Sequence, residues 1–175
     1  MEIYERVAKK VFIIGCGRWG TFIAWYLDKI GHTVTLYGRE SSANMQQLMQ
    51  TRRNAYVQLP ETLQLTTELQ GVEQADYILI SVASQSLYSV CDQLAALQVE
   101  NKPVILCMKG IEISTGRRLS QIVADALPQN PVAVWLGPGH VQEFTRGVPN
   151  CMVIDSENEQ VKNELVQGFS SDLIR

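Results

Sequence analysis

The 175-residue sequence predicts an α/β fold, a doubly wound and mostly parallel sheet with helices on both faces. Three observations point to it. Short apolar runs alternate with stretches of helical spacing along the whole chain, the pattern of repeated βα units. Two of the runs, Tyr77-Ile-Leu-Ile-Ser-Val82 and Pro103-Val-Ile-Leu-Cys-Met108, are close to continuously apolar, as strands covered on both faces must be. The first run, Val11-Phe-Ile-Ile14, breaks straight into the glycine-rich turn Gly15-Cys-Gly-Arg-Trp-Gly20 and then into a helix.

The elements follow in order. After that first strand, Phe22, Ile23, Tyr26, Leu27 and Ile30 recur at helical spacing. Gly31-His32 makes a turn that leaves His32 solvated, and Thr33-Val-Thr-Leu-Tyr37 is a short β-branched strand. Ser41 or Ser42 caps a helix carrying Met45, Leu48 and Met49. A polar link through Pro60 leads to a weak strand near 63–66 and a short helix before the strand at 77–82. Beyond it come a helix over 86–97, the strand over 103–108, and a helix over 116–127 with Leu119, Ile122, Val123 and Ala126 on one face. A strand over 132–136, a short helix over 141–145, a last strand over 151–154 and a helix over 157–169 complete the pattern. No linker, repeat or low-complexity tract divides it.

Composition sets limits. With 46% hydrophobic and 19% charged residues the chain suits one ordinary domain with a substantial core. A net charge of −3 and no Lys/Arg block exclude a nucleic-acid surface. No apolar run reaches the roughly 20 residues of a membrane span. The N-terminus, Met-Glu-Ile-Tyr-Glu-Arg, lacks the apolar centre of a secretory signal, which makes the cytoplasm the default compartment. Cys16, Cys91, Cys107 and Cys151 are scattered, with no C-x-x-C pair and no histidine cluster, so they read as reduced thiols and no metal site is expected.

The turn after the first strand carries the chemistry. In G-x-G-x-x-G, Gly15 lets the chain leave the strand sharply, Gly17 lets the backbone approach a pyrophosphate, and Gly20 lets the helix lie close to the strand. The helix N-terminus then faces the anion. A ligand so held lies at the carboxyl ends of the strands of a Rossmann-type sheet, where the strand order reverses, so residues just after each strand are informative. After the second strand, Tyr37 and Gly38 are not acidic, and Arg39 stands 22 residues beyond Gly17. An arginine there suits a 2′-phosphate or an adenine face, which favours NADP(H) or relaxed use of both cofactors over strict NAD. Ala83-Ser84-Gln85-Ser86 lines the groove or merely caps a helix. Lys109, ahead of Gly110, puts a cation into the crevice. Gly137 and Gly139 permit close approach to a small ligand, and the short helix after them offers N–H groups to an anion.

Taken together, Gly15-Cys-Gly-Arg-Trp-Gly20, Ser81-Val-Ala-Ser-Gln85, Met108-Lys-Gly-Ile-Glu112 and Gly137-Pro-Gly-His-Val-Gln-Glu143 with Gly147-Val-Pro149 resemble the ordered motifs of NAD(P)-dependent glycerol-3-phosphate dehydrogenase. The resemblance implies reduction of dihydroxyacetone phosphate to sn-glycerol 3-phosphate with NADP or NAD, feeding glycerophospholipid synthesis. It implies cofactor contacts at Arg18, Trp19, Arg39, Lys109 and Val141 besides the three glycines, and substrate contacts at Lys109, Gly137 and Gly139. Partners are then a small phosphate substrate and, as oligomer, a homodimer. The departures are Ala83 where the family has proline, Gly139 where it has a hydroxyl residue, and His140 where it has phenylalanine. His140 reads as a packed or hydrogen-bonded ring before it reads as an acid. The family's general-base lysine and phosphate-clamping arginine sit on a C-terminal helical domain beyond Arg175. Residues 1–175 are therefore expected to be the dinucleotide-binding domain, cut where Leu173-Ile-Arg175 begins another strand. Two alternatives are a related two-domain 2-oxo-acid (ketopantoate-type) reductase and a stand-alone nucleotide-binding sensor. An exposed apolar patch where a second domain docks speaks against the sensor.

Overall fold

In the computed structural model, which describes residues 6–175, the elements run β1 (Lys10–Ile14), α1 (Arg18–Lys29), β2 (Thr33–Tyr37), α2 (Ala43–Thr51), β3 (Gln64–Thr66), β4 (Tyr77–Ile80), α3 (Leu87–Ala96), β5 (Val104–Leu106), α4 (Leu119–Ala126), β6 (Val132–Leu136), α5 (Val141–Thr145), β7 (Val153–Ser156) and α6 (Glu159–Phe169). Residues 1–5, most of the N-terminal segment read above for a secretory signal, lie outside the described residues. Among the described residues no helix is long and apolar enough to cross a membrane.

One seven-stranded sheet has the order β3-β2-β1-β4-β5-β6-β7, so the chain winds outward in both directions from β1. The first six strands are parallel, which βα units require. Side-chain alternation along these strands splits the core in two. Val11, Ile13, Tyr77 and Leu79 pack with Phe22, Ile23, Tyr26 and Leu27 of α1 and with Leu165 and Phe169 of α6. Phe12, Ile14, Ile78 and Ile80 pack on the other face with Leu87, Val90, Cys91 and Leu94 of α3 and Ile122 and Val123 of α4. Both faces of the central strands are covered, which explains their unbroken apolar runs. Each fully buried large side chain of this kind contributes roughly 1.5–3 kcal/mol.

The sheet is mostly parallel, as expected, and the exception is β7, which pairs antiparallel with β6, Leu136 opposite Val153. The helix between them, α5, has five residues and rises only about 7.5 Å, too short to return the chain to the end of the sheet where β6 begins. β7 also begins at Val153, and the bonds at Asn150 and Met152 go elsewhere: Asn150 and Ile174 form an isolated parallel bridge, with the Met152 N–H donating to the Arg175 carbonyl at 2.8 Å. Helix α2 is capped by Ser42, whose Oγ accepts from the Met45 N–H at 3.4 Å. Helix α4 starts at Leu119, since the residues from 109 to 118 form a loop, and α6 starts at Glu159 behind an Asn158 cap whose Oδ1 accepts from the Val161 N–H at 3.0 Å.

His32 is not solvated. It is 4% exposed, its Nδ1 accepts from the Lys9 N–H at 3.2 Å, and its Nε2 lies 2.9 Å from the Gly168 carbonyl. A carbonyl accepts only, so the ring is the neutral Nε2–H tautomer. Burial pushes its pKa below the usual value, against the Gly168 bond and with help from the Arg6 and Lys9 charges. The ring also meets Phe169 edge-on at 5.7 Å, tying the α1–β2 turn to the end of α6.

Candidate functional site

Two cavities meet above the β1/β4 boundary, the switch point where winding reverses. One, about 350 Å³, runs from Gly15 and Gly17 past Tyr37, Gly38 and Arg39 to Ser42 and Asn44. The other, about 430 Å³, runs from Gly17, Arg18 and Trp19 across Met108 and Lys109 to the segment from Gly137 to Val141. Gly17, Ser81 and Val82 line both, so the two form one groove.

The three glycines of the turn do three different things. Gly15 has φ +115°, and a Cβ on it would stand 2.1 Å from the Ser81 carbonyl, so the turn seats directly on the end of β4. A Cβ on Gly20 would stand 1.9 Å from the Gly15 carbonyl; Gly20 is buried, lines neither cavity, and serves to bring α1 against the turn. Gly17 is different: a Cβ there would meet nothing within 4 Å. No packing demands its glycine, and the space it leaves is the floor of the groove. Gly17 is also the N-cap of α1 and no side chain caps that helix, which leaves the helix end to the groove. Thr21, unnoticed in the sequence, braces the turn by donating from Oγ1 to the Cys16 carbonyl at 3.1 Å.

Charge singles the groove out. The protein is net negative, yet the groove is lined by Arg18, Arg39 and Lys109 and by no Asp or Glu. A concave site of one sign raises the local concentration of an anion. The expected positions thus fall into two groups: Gly15, Gly17 and Arg39 at the β2 end, and Arg18, Trp19, Lys109, Gly137, Gly139 and Val141 at the β5–β6 end. The Arg18 guanidinium stands 5.9 Å from the Tyr56 ring centroid. Trp19 is half-buried against Phe22 at 5.3 Å and Phe144 at 6.4 Å, so its ring is a fixed wall.

Three readings at this end change. Gly137 and Gly139 line the cleft, but their missing Cβ atoms face protein: one would stand 2.8 Å from the Met152 side chain, the other 2.2 Å from the Phe144 ring. Packing alone already demands glycine at both positions, and their backbone still borders the cleft. His140 is an exposed residue on the cleft wall, not a packed ring, because the aromatic space beneath is filled by Phe144. Of the segment from Ala83 to Ser86, only Ala83 and Ser86 line the groove, and Ser86 makes no side-chain cap. Cys16, Cys91 and Cys107 are buried and Cys151 is exposed; burial pushes the Cys91 thiol up to about 11 and Cys107 higher still, so neither is a thiolate nucleophile at neutral pH.

Comparison with known proteins agrees with this geometry. The family profile described as NAD-dependent glycerol-3-phosphate dehydrogenase N-terminus matches residues 10–162. A glycerol-3-phosphate dehydrogenase (NAD(P)+) of Parvibaculum lavamentivorans is 32% identical over 95% of this chain and 54% of its own length. Another, of Desulfitobacterium hafniense, is 34% identical over 91% of this chain and 46% of its own. The crystal structure of glycerol-3-phosphate dehydrogenase from Coxiella burnetii superposes with a TM-score of 0.87 at 27% identity, covering 96% of this chain and 53% of that one. The chain therefore spans about half the length of the relatives it matches. With the sheet order, the glycine turn and the profile match in agreement, the chain belongs to the family of NAD-dependent glycerol-3-phosphate dehydrogenase N-terminal domains.

Proposed function

We propose that this chain is the cofactor-binding half of an enzyme that interconverts dihydroxyacetone phosphate and sn-glycerol 3-phosphate with NADPH or NADH. The observation that carries the reading is the carboxylate-free groove across the β1/β4 boundary, open above Gly17 and bearing three cations. Gly15, Gly17 and the α1 N-terminus hold the pyrophosphate. Arg39 holds the adenosine end, and Arg18, Trp19, Lys109 and Val141 border the nicotinamide end. The dinucleotide, when bound, supplies a hydride to a ketone carbon. Lys109 orients the substrate beside Gly137 and Gly139 and stabilises the negative charge that develops on its oxygen, an effect of about 2.7–4 kcal/mol for a fixed donor.

Proton transfer and phosphate clamping belong, on this reading, to a helical domain following residue 175. The length of the relatives supports it, as do Ile111 and Ile113, which are 56% and 79% exposed just beyond Lys109 and would suit a covered surface. The enzyme so completed works in the cytoplasm, and its product enters glycerophospholipid synthesis.

Calorimetry and substrate-dependent oxidation of NAD(P)H test this together. The chain is expected to bind NADPH or NADH yet to turn over dihydroxyacetone phosphate negligibly, while the longer enzyme is active and loses most of its kcat on Lys109→Ala. Failure to bind either dinucleotide overturns the reading. Robust turnover by the chain alone overturns the two-domain plan and turns attention to His140 as the acid.

A further inference from the structure

Gln85 follows β4 at the switch point, yet it lines neither half of the groove. Its carboxamide reaches instead to the loop that leaves β5. Nε2 donates to the Ile111 carbonyl at 3.1 Å and Oε1 accepts from the Ile113 N–H at 3.2 Å, the two bonds a neighbouring strand would make. Donor and acceptor are both used, so the amide has one orientation. Ser84 completes the contact: Gly110, at φ +130°, lies so close that a Cβ on it would stand 3.2 Å from the Ser84 side chain. The backbone immediately after Lys109 is thus held from the α3 side.

The rest of the loop is closed on itself. The Glu112 carboxylate accepts from the N–H and the hydroxyl of Ser114 at 2.9 and 2.7 Å, and from those of Thr115 at 2.7 and 2.6 Å. The Glu112 N–H donates to the Arg117 carbonyl at 2.9 Å and the Gly116 N–H to the Glu112 carbonyl at 2.8 Å. A loop this braced moves as a unit, so what fixes it to the body also fixes the residue at its root.

We infer that Gln85 is a positioning residue for Lys109: by clamping Ile111 and Ile113 it sets where the Lys109 ammonium stands in the cleft. The inference rests on the dinucleotide reading above. It separates Gln85 from the adenosine half of the groove, which the clamp does not touch.

The test is a double-mutant cycle on the chain, with Gln85→Leu, Lys109→Met and both together, titrated with NADPH and with 2′,5′-ADP, which carries the adenosine half only. Gln85→Met serves as a second variant should the leucine disturb folding, and hydrogen exchange of the Ile113 amide reports whether the clamp is released. Release of the clamp is expected to weaken NADPH about two- to tenfold through Lys109, leave 2′,5′-ADP unchanged, and add nothing once Lys109 is gone. Additive losses, an equal loss for 2′,5′-ADP, or unchanged NADPH binding with the Ile113 amide deprotected would each overturn the inference alone. A parent chain that binds no NADPH overturns the dinucleotide reading and this inference with it.

Discussion

Gly17→Val separates binding from folding more cleanly than any other change in the turn. Gly17 has φ −70° and ψ −177°, backbone that any residue adopts, and a Cβ there meets no protein atom within 4 Å. Two small local effects oppose each other: replacing glycine stiffens the unfolded chain by about 0.4–1 kcal/mol, and valine is a poorer N-cap by about 0.5–2 kcal/mol. The melting temperature is therefore expected to move by no more than about 6 °C. Binding fares differently, because the new side chain fills the space through which phosphate oxygens reach the α1 N–H groups. Charge-assisted bonds of this kind are worth roughly 1.5–3 kcal/mol each, so losing two weakens the dinucleotide about 10²- to 10⁴-fold. Gly20→Ala is the control. Its Cβ would stand 1.9 Å from the Gly15 carbonyl, so backbone must shift at a cost of about 1–3 kcal/mol, and binding falls together with stability. Calorimetry with NADPH beside thermal melting reads both. Equal affinity of Gly17→Val and the parent would refute the placement of the phosphates.

Two further outcomes follow from named side chains. Arg39→Ala is expected to weaken NADPH more than NADH by calorimetry, since a guanidinium pairs bidentately with a 2′-phosphate; equal weakening would assign Arg39 to the adenine face instead. His32 has a folded pKa below its unfolded value, so the unfolded chain takes up more protons below about pH 6.5, and stability falls as pH drops through that window by up to about 1.4 kcal/mol per unit. Urea unfolding at a series of pH values should show this slope, and His32→Gln should flatten it; an unchanged slope would place its origin elsewhere.

Much of this molecule was legible beforehand, and the reasons for the rest are specific. The strands at 11–14, 77–80 and 104–106 announce themselves because both their faces are buried, and the glycine turn because its flanks fit. Strand direction is another matter: Val153–Ser156 carries no mark that distinguishes antiparallel from parallel, and only the shortness of α5 gives a hint. His32 looked solvated because its partner, Gly168, lies 136 residues away. Gln85 escaped for the same reason, as its partners come from the loop after β5. Glu112 could have been found, since Ser114 and Thr115 stand two and three residues on, the spacing of a local side-chain cap. The packing demand on Gly139 is not legible in the sequence, because a glycine does not say which neighbour needs the room.

The sheet order has a bearing on how the chain acquires its structure. Of the strands described, β1 is synthesised before the others and ends in the middle of the sheet, between a partner that ends at Tyr37 and one that ends at Ile80. Until β4 has been synthesised, one hydrogen-bonding edge of Val11–Ile14 stays open on a strongly apolar segment, a template for pairing with the wrong chain. Pairings so distant in sequence are also slow to form. The nascent protein passes through a stage in which the glycine turn exists without the Ser81 carbonyl it rests on, and no groove can yet retain a nucleotide. Ligand added during refolding should accordingly leave the pairing of β1 with β4 unaccelerated and stabilise only what comes after it.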